Sequence, residues 1–205
     1  MNERHPQTWK GATAPMSIKG TRTEENLLKA FAGESQARNR YTYYAAIAKK
    51  EGYEQIAELF AETAENEKEH AKVFYKYLEG GEVQITADYP AGTLGTTAEN
   101  LLHAADGELM EWGTLYPDFA DIAEEEGFLK VAASFREIGK VEAFHEARYR
   151  KLLANVEGDL VFKRPETFKW HCRNCGYIHE GPDAPDMCPA CVHPKKYYEI
   201  LAENF

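Results

Sequence analysis

No stretch of the 205-residue chain approaches eighteen consecutive apolar residues, which excludes a membrane-spanning helix. Basic residues are also scarce: 24 Lys and Arg stand against 34 Asp and Glu, for a net charge of −10. Without a basic surplus little is available to neutralise phosphates, so no nucleic-acid partner is expected. Residues 1–15 are polar and lack the apolar run of a secretory signal, and the expected location is the cytoplasm. Cysteine is confined to one segment, as Cys172-x-x-Cys175 and Cys188-x-x-Cys191. Two disulfides would suit an exported domain, but no export signal precedes them, and paired CxxC spacing is that of a tetrathiolate metal site.

What the chain does have is a pattern that occurs twice. Glu34, in Gly33-Glu34, is followed thirty-three residues later by Glu67, which opens Glu67-Lys68-Glu69-His70. Glu108, in Gly107-Glu108, is followed thirty-four residues later by Glu142, which opens Glu142-Ala143-Phe144-His145. On a helix, positions i and i+3 point the same way, so Glu67 joins His70 and Glu142 joins His145. Two helices with a lone Glu and two with Glu-x-x-His carry the ligand set of di-iron carboxylate bundles. A single helical glutamate ordinarily faces solvent. Four of them, recurring at matched spacing on stripes that are otherwise apolar, point inward instead, where they would repel one another without a cation between them. Imidazole and carboxylate with no thiolate suit iron or manganese.

Glu111 breaks the symmetry. It lies one helical turn after Glu108, where the first copy has Ala37, and gives the site one carboxylate more than the symmetric minimum. A spare ligand permits exchange between coordination states as a metal changes oxidation state. Tyr41 shares the inward face with Glu34 and is placed to hydrogen-bond a ligating carboxylate. Tyr116 is expected to do the same for Glu111 or Glu108, with ordinary core packing the alternative for both. His103 is off the face of Glu108 and has no expected role. His5, His171, His179 and His193 are expected at the surface or beside the cysteines.

The chain divides into a mobile leader (1–20), a helical bundle (21–158) and a small C-terminal domain (159–205). Met16 is a second candidate start. The first helix is capped by Thr21 or Thr23, runs to about Lys50 and stops at Gly52. A second spans roughly Tyr53 to Leu78. Residues 79–96 are too long for a tight hairpin and suit the single crossover of ferritin-like bundles. A third helix covers about 97–125, with a kink or break at Tyr116-Pro117. The fourth covers about Phe128 to Val156, closed by Gly158. Glu51-Gly52-Tyr53 and Glu126-Gly127-Phe128 punctuate the two hairpins alike. From Asp159 helical patterning ceases. The knuckles Cys172-Arg173-Asn174-Cys175-Gly176-Tyr177 and Cys188-Pro189-Ala190-Cys191 have a rubredoxin-like context, though spacing alone leaves Zn and Fe both open.

Taken in order, FAGESQARNRY (31–41), ETAENEKEHAK (62–72), the Glu108/Glu111 pair, EAFH (142–145) and HCRNCGYIHEG followed by CPACVHPK resemble rubrerythrin, over about residues 17–205. The resemblance implies a mainly α protein, a ferritin-like four-helix bundle followed by a rubredoxin-like domain. It implies Glu34, Glu67, Glu111 and Glu142 on one iron, with Glu67 and Glu142 bridging to a second completed by Glu108 and His145. His70 is implied as the alternate to Glu111 when the first iron is reduced. Cys172, Cys175, Cys188 and Cys191 would hold a third iron, or zinc if misloaded. Tyr41 and Tyr116 match tyrosines that support these ligands. The implied activity is a peroxidase: hydrogen peroxide reduced to water, with electrons entering through the cysteine centre, in oxidative-stress defence. A head-to-tail homodimer is implied as well.

Two rival functions have distinct signatures. A ferroxidase or iron-handling protein would use the same bundle to oxidise Fe(II), leaving the appended cysteine domain idle. A binding module with a zinc ribbon would need a basic face, and residues 159–205 carry six Lys/Arg against seven Asp/Glu. No dinucleotide fingerprint is present, so NAD(P)H is expected to act through a separate reductase or a rubredoxin-type donor.

Overall fold

A computed structural model of the chain describes residues 16–204. Most of the expected leader, His5 included, lies outside the described residues. Its last residues are not loose, contrary to expectation. Ile18 is buried in the bundle core, and its amide and the Ser17 hydroxyl donate to the Glu79 carboxylate at 3.0 and 2.7 Å. An apolar side chain at position 18 had a core to enter, and burial outweighed the surrounding glycine and proline.

Five α-helices follow: α1 (Arg22–Glu51), α2 (Glu54–Tyr75), α3 (Thr97–Met110), α4 (Tyr116–Glu125) and α5 (Leu129–Glu157). Thr21 caps α1, its hydroxyl accepting from the Glu24 amide at 3.1 Å. Thr96 and Glu99 form a reciprocal capping box on α3, satisfying amides that have no helical partner. The two hairpin turns share one geometry. Gly52 and Gly127 take left-handed φ values of 92° and 85°, and the amides of Tyr53 and Phe128 close on Ala48 and Ala123 at 2.9 and 2.7 Å. Only glycine enters that conformation without a Cβ penalty. α2 ends three residues earlier than expected, its last residues to Leu78 forming turns.

Two apolar cores lie on either side of a layer of glutamates. One contains Tyr41, Phe60, Leu101 and Tyr149, and the other Leu27, Phe74, Tyr116 and Phe135. In α1 the order is Leu27, Glu34, Tyr41; in α2 it is Phe60, Glu67, Phe74; in α5 it is Phe135, Glu142, Tyr149. Each glutamate therefore stands seven residues, nearly two helical turns, from an apolar side chain on either side. Burying such side chains contributes ~1.5–3 kcal/mol each, which is what holds the acidic layer between them.

The second copy breaks the rule by one residue: Leu101, Glu108, then Tyr116. The surplus is taken up in a π turn, Glu111–Leu115, in which the Tyr116 amide reaches back five residues to the Glu111 carbonyl. The wide turn returns Tyr116 to the inner face. It also accommodates Pro117, which sits in the first turn of α4, where a missing amide costs little. The expected break at Tyr116-Pro117 is thus a widened turn just before it. The fourth helix ends as expected near Gly158, but the left-handed residue there is Asp159, with φ 54°.

The C-terminal segment forms three antiparallel strands, β1 (Lys163–Cys172), β2 (Ile178–Asp183) and β3 (Tyr198–Ile200), in the order β2-β1-β3. Trp170, Cys172, Cys188 and Tyr198 make their own small core, with the Trp170 indole donating to the Gly181 carbonyl at 3.0 Å. This unit rests on the start of α2. Phe162 stacks on Tyr53, Lys196 pairs with Glu54 at 2.8 Å, and Arg173 pairs with Glu58. Among the described residues, no helix is long and apolar enough to cross a membrane.

Candidate metal centres

The glutamate layer gathers donors from α1, α2, α3 and α5. Glu34, Glu67, His70 and Glu142 form one group of four, and Glu67, Glu108, Glu142 and His145 a second, each with ligand atoms within 4.8 Å of one another. Glu67 and Glu142 belong to both. His70 Nδ1 stands 2.8 Å from Glu142 Oε1 and 2.9 Å from Glu67 Oε2. His145 Nδ1 stands 2.7 Å from Glu142 Oε2 and 3.3 Å from Glu67 Oε1. Several of these short approaches are not hydrogen bonds: Glu142 Oε1 and Oε2, Glu34 Oε2, Glu67 Oε1, Glu108 Oε2 and His145 Nδ1 are buried without a hydrogen-bond partner. Lone pairs brought this close yet not aimed at one another are arranged as ligands around a common centre. The donor set therefore fits a pair of hard-to-borderline cations such as iron.

Electrostatics leads to the same conclusion. Burial first, and then neighbouring carboxylates, hold Glu34 and Glu111 well above the ordinary carboxylic pKa, and Glu108 is raised as well. Burial alone would lower the imidazoles, but Glu142 and Glu67 outweigh it and push His70 up to about 10. His145 is pushed up to about 12 against the same desolvation, by Glu108, Glu142 and Glu67. The layer retains protons because it demands positive charge, and a metal ion would displace them.

Two tyrosines hold the carboxylates from the flanking cores. Tyr41 donates to Glu108 Oε1 at 2.5 Å, and Tyr116 donates to Glu34 Oε1. Tyr41 thus bonds a carboxylate of the layer from across the bundle. Tyr116 does not reach Glu111 or Glu108 as expected, because the π turn carries it past α3 toward α1. Glu111, half-buried in that turn, lies in neither group of four and borders an adjacent cavity. His103 joins neither group, in line with its position off the face. Arg40 and Tyr149 were not singled out from the sequence. Arg40 lines the cavity shared with Glu111 and its Nε is buried without a partner. Tyr149 packs edge-on against Tyr41 at 5.5 Å, and its place seven residues beyond Glu142 was the available signal.

In the C-terminal unit the four sulfurs converge, with Cys172 3.8 Å from Cys191 and Cys175 3.7 Å from Cys188. The Gly176 amide closes one knuckle on the Cys172 carbonyl at 2.8 Å, and the Val192 amide closes the other on Cys188 at 2.9 Å. Burial opposes ionisation of Cys188, yet the Tyr198 hydroxyl and the amides of Cys191 and Ala190 bring its thiol down to about 6. A thiolate stabilised in this way is a ready metal ligand. His193 Nδ1 lies beside the knuckle, 3.0 Å from the Cys191 carbonyl, to which it donates when protonated, while His171 pairs with Glu199 at 3.2 Å.

Comparison with known proteins agrees with both centres. The family model described as rubrerythrin matches residues 25–153, and that of the rubrerythrin rubredoxin-like domain matches residues 170–199. The chain is 61% identical over 189 residues to a rubrerythrin of Porphyromonas gingivalis, covering 92% of this chain and 94% of that protein. It is 52% identical over 189 residues to a rubrerythrin of Nitratidesulfovibrio vulgaris, covering 92% and 99%. Among solved structures, the fully reduced, all-ferrous state of nigerythrin superposes with a TM-score of 0.59 at 32% identity, covering 98% of this chain and all of that one. With a di-iron carboxylate layer in a ferritin-like bundle and a four-cysteine rubredoxin-like domain behind it, the chain belongs to the rubrerythrin family.

Proposed function

We propose that the chain is a peroxidase that reduces hydrogen peroxide to water, with electrons delivered through the four-cysteine centre. The observation that carries this reading is the sharing of Glu67 and Glu142 between the two groups of four, which sets two metal positions side by side. Two ferrous ions held there supply the two electrons that cleavage of an O–O bond requires.

The side chains divide the remaining work. Glu67 and Glu142, common to both groups, would serve both metal positions, Glu34 and His70 would hold one, and Glu108 and His145 would hold the other. Tyr116 and Tyr41 fix the carboxylates of Glu34 and Glu108 so that neither turns away when charge in the layer changes. Glu111 serves as the alternate ligand to His70. Its carboxyl, raised by burial and by Glu108, can hold a proton at the cavity side of the layer until a departing oxygen takes it. The flanking apolar cores keep bulk water from the layer. Cys172, Cys175, Cys188 and Cys191 would hold an iron able to supply one electron at a time, with a separate reductase or rubredoxin-type donor as the source. A head-to-tail homodimer would set one subunit's cysteine centre beside the other's di-iron layer.

The test is a mixing experiment on iron-loaded protein, reduced without oxygen until the red ferric-thiolate colour is lost. Colour should return faster with stoichiometric peroxide than with oxygen, and Glu111→Ala should slow the peroxide reaction. Faster return with oxygen would move the reading to a ferroxidase. A cysteine site that holds only zinc would remove the electron-delivery step.

A further inference from the structure

Hydrogen peroxide would use little of the space beside the ligand layer. Next to Glu111 and Tyr116 lies a cavity of 380 Å³. A water molecule occupies ~30 Å³ of the liquid, so a molecule of two oxygens fills a small part of it. Pockets that take small organic ligands run from ~300 to 1,000 Å³.

The walls are largely carbon. Ala30 of α1, Met110, Leu115 and Phe119 around the π turn, and Ala87 and Pro90 of the crossover contribute most of the apolar lining. Ala30 and Tyr116 are buried and form the floor, whereas residues 86–90 are exposed and form the rim. That rim is tied down: the Tyr89 hydroxyl donates to the Lys29 carbonyl at 2.8 Å, and the Tyr89 ring lies over Gly33. A Cβ at residue 33 would stand 3.7 Å from the ring, an ordinary van der Waals contact, which shows how closely the crossover is seated on α1. A passage serving water alone would offer water polar partners along its length. Here the polar side chains of Lys29, Gln36, Arg40, Thr86 and Asp88 also line the cavity but leave most of its wall apolar, and Glu111 and Tyr116 lie against the ligand layer.

We propose that this cavity binds the organic group of an alkyl hydroperoxide, of the bulk of cumene hydroperoxide, with its O–O end turned to Glu111 and the ligand layer. The inference rests on the peroxidase reading and extends its substrates. The O–O bond breaks; two electrons pass from the ferrous pair, which becomes ferric, and two protons are taken up from water. The alkyl-bearing oxygen leaves as the alcohol and the other oxygen as water.

Binding and turnover are tested separately. Zinc-loaded protein, which has no redox chemistry, is titrated with 2-phenyl-2-propanol, the product alcohol, while the methyl resonances of Ala30, Met110 and Leu115 are followed by NMR. Saturable shifts at those methyls are expected, and they should be lost in Ala87→Trp, which fills the rim from an exposed position. In iron-loaded protein the same variant should lower kcat/KM for cumene hydroperoxide relative to that for hydrogen peroxide by ~10-fold or more, as expected when a pocket loses room for a methylene or two. Absence of saturable shifts overturns the inference whatever the peroxide kinetics show. Equal losses for both peroxides in Ala87→Trp overturn it too. If the alcohol binds but neither peroxide is reduced, the peroxidase reading has failed and the hydroperoxide assignment goes with it.

Discussion

Tyr41 of the first repeat donates to Glu108 of the second at 2.5 Å, and Tyr116 of the second repeat returns the bond to Glu34 of the first. The two hydrogen bonds cross the ligand layer in opposite directions. Both hydroxyls come from apolar cores, so each carboxylate is held from a side that water does not reach.

Removing one of these bonds should therefore be costly. Tyr116→Phe leaves Glu34 Oε1 buried without its donor, and the metal-free protein should lose ~1–3 kcal/mol of stability in urea unfolding. Tyr41→Phe should cost a similar amount through Glu108. The double variant tests coupling: carboxylates in one layer share their charge, so the two losses should not simply add. Losses below the error of the urea titration would show that the carboxylates find other donors.

Metal removal should lower the melting temperature, and the gap should depend on pH. In the metal-free fold Glu34, Glu108 and Glu111 have raised pKa values, and His70 and His145 are raised to about 10 and 12. The folded chain thus holds protons that the unfolded chain releases. That contribution is fully present below the unfolded carboxylic pKa of ~4.3 and declines as pH rises. Bound metal replaces those protons and does not share the decline. The gap in melting temperature between loaded and chelator-treated protein should widen from about pH 5 to 8 in scanning calorimetry. A gap that narrows over that range would contradict the proton-for-metal exchange.

The cysteine knuckles predict a stabilising change. Gly176 and Val192 occupy equivalent turns with φ values of 82° and 58°. A side chain with a Cβ is disfavoured there by ~1–2 kcal/mol, and Val192 is 67% exposed, so little packing offsets the strain. Val192→Gly should raise the temperature at which iron-loaded protein loses its red colour, and Gly176→Val should lower it. No change in the first variant would mean that glycine's chain entropy cancels the relief.

Most of the ligand layer was legible because helical spacing converts directly into direction. Glu34, Glu67, Glu108 and Glu142 share apolar stripes with their neighbours, and the structure draws them together with both histidines. What spacing did not resolve was a departure from the α-helix itself. The two repeats differ by one residue, thirty-three against thirty-four, and that surplus marked the π turn. Treating the second copy as regular helix sent Tyr116 toward the wrong glutamate and made Pro117 appear to be the cause of the interruption. Ile18 was lost for another reason. A single apolar residue among glycine and proline has no periodicity, and its burial is decided by a core built from distant residues such as Phe74 and Phe135.

The crossed tyrosines also constrain where such a chain could have come from. A protein of one repeat alone would carry a buried glutamate and a tyrosine that face away from each other's reach. Two identical copies meeting about a twofold axis would satisfy both.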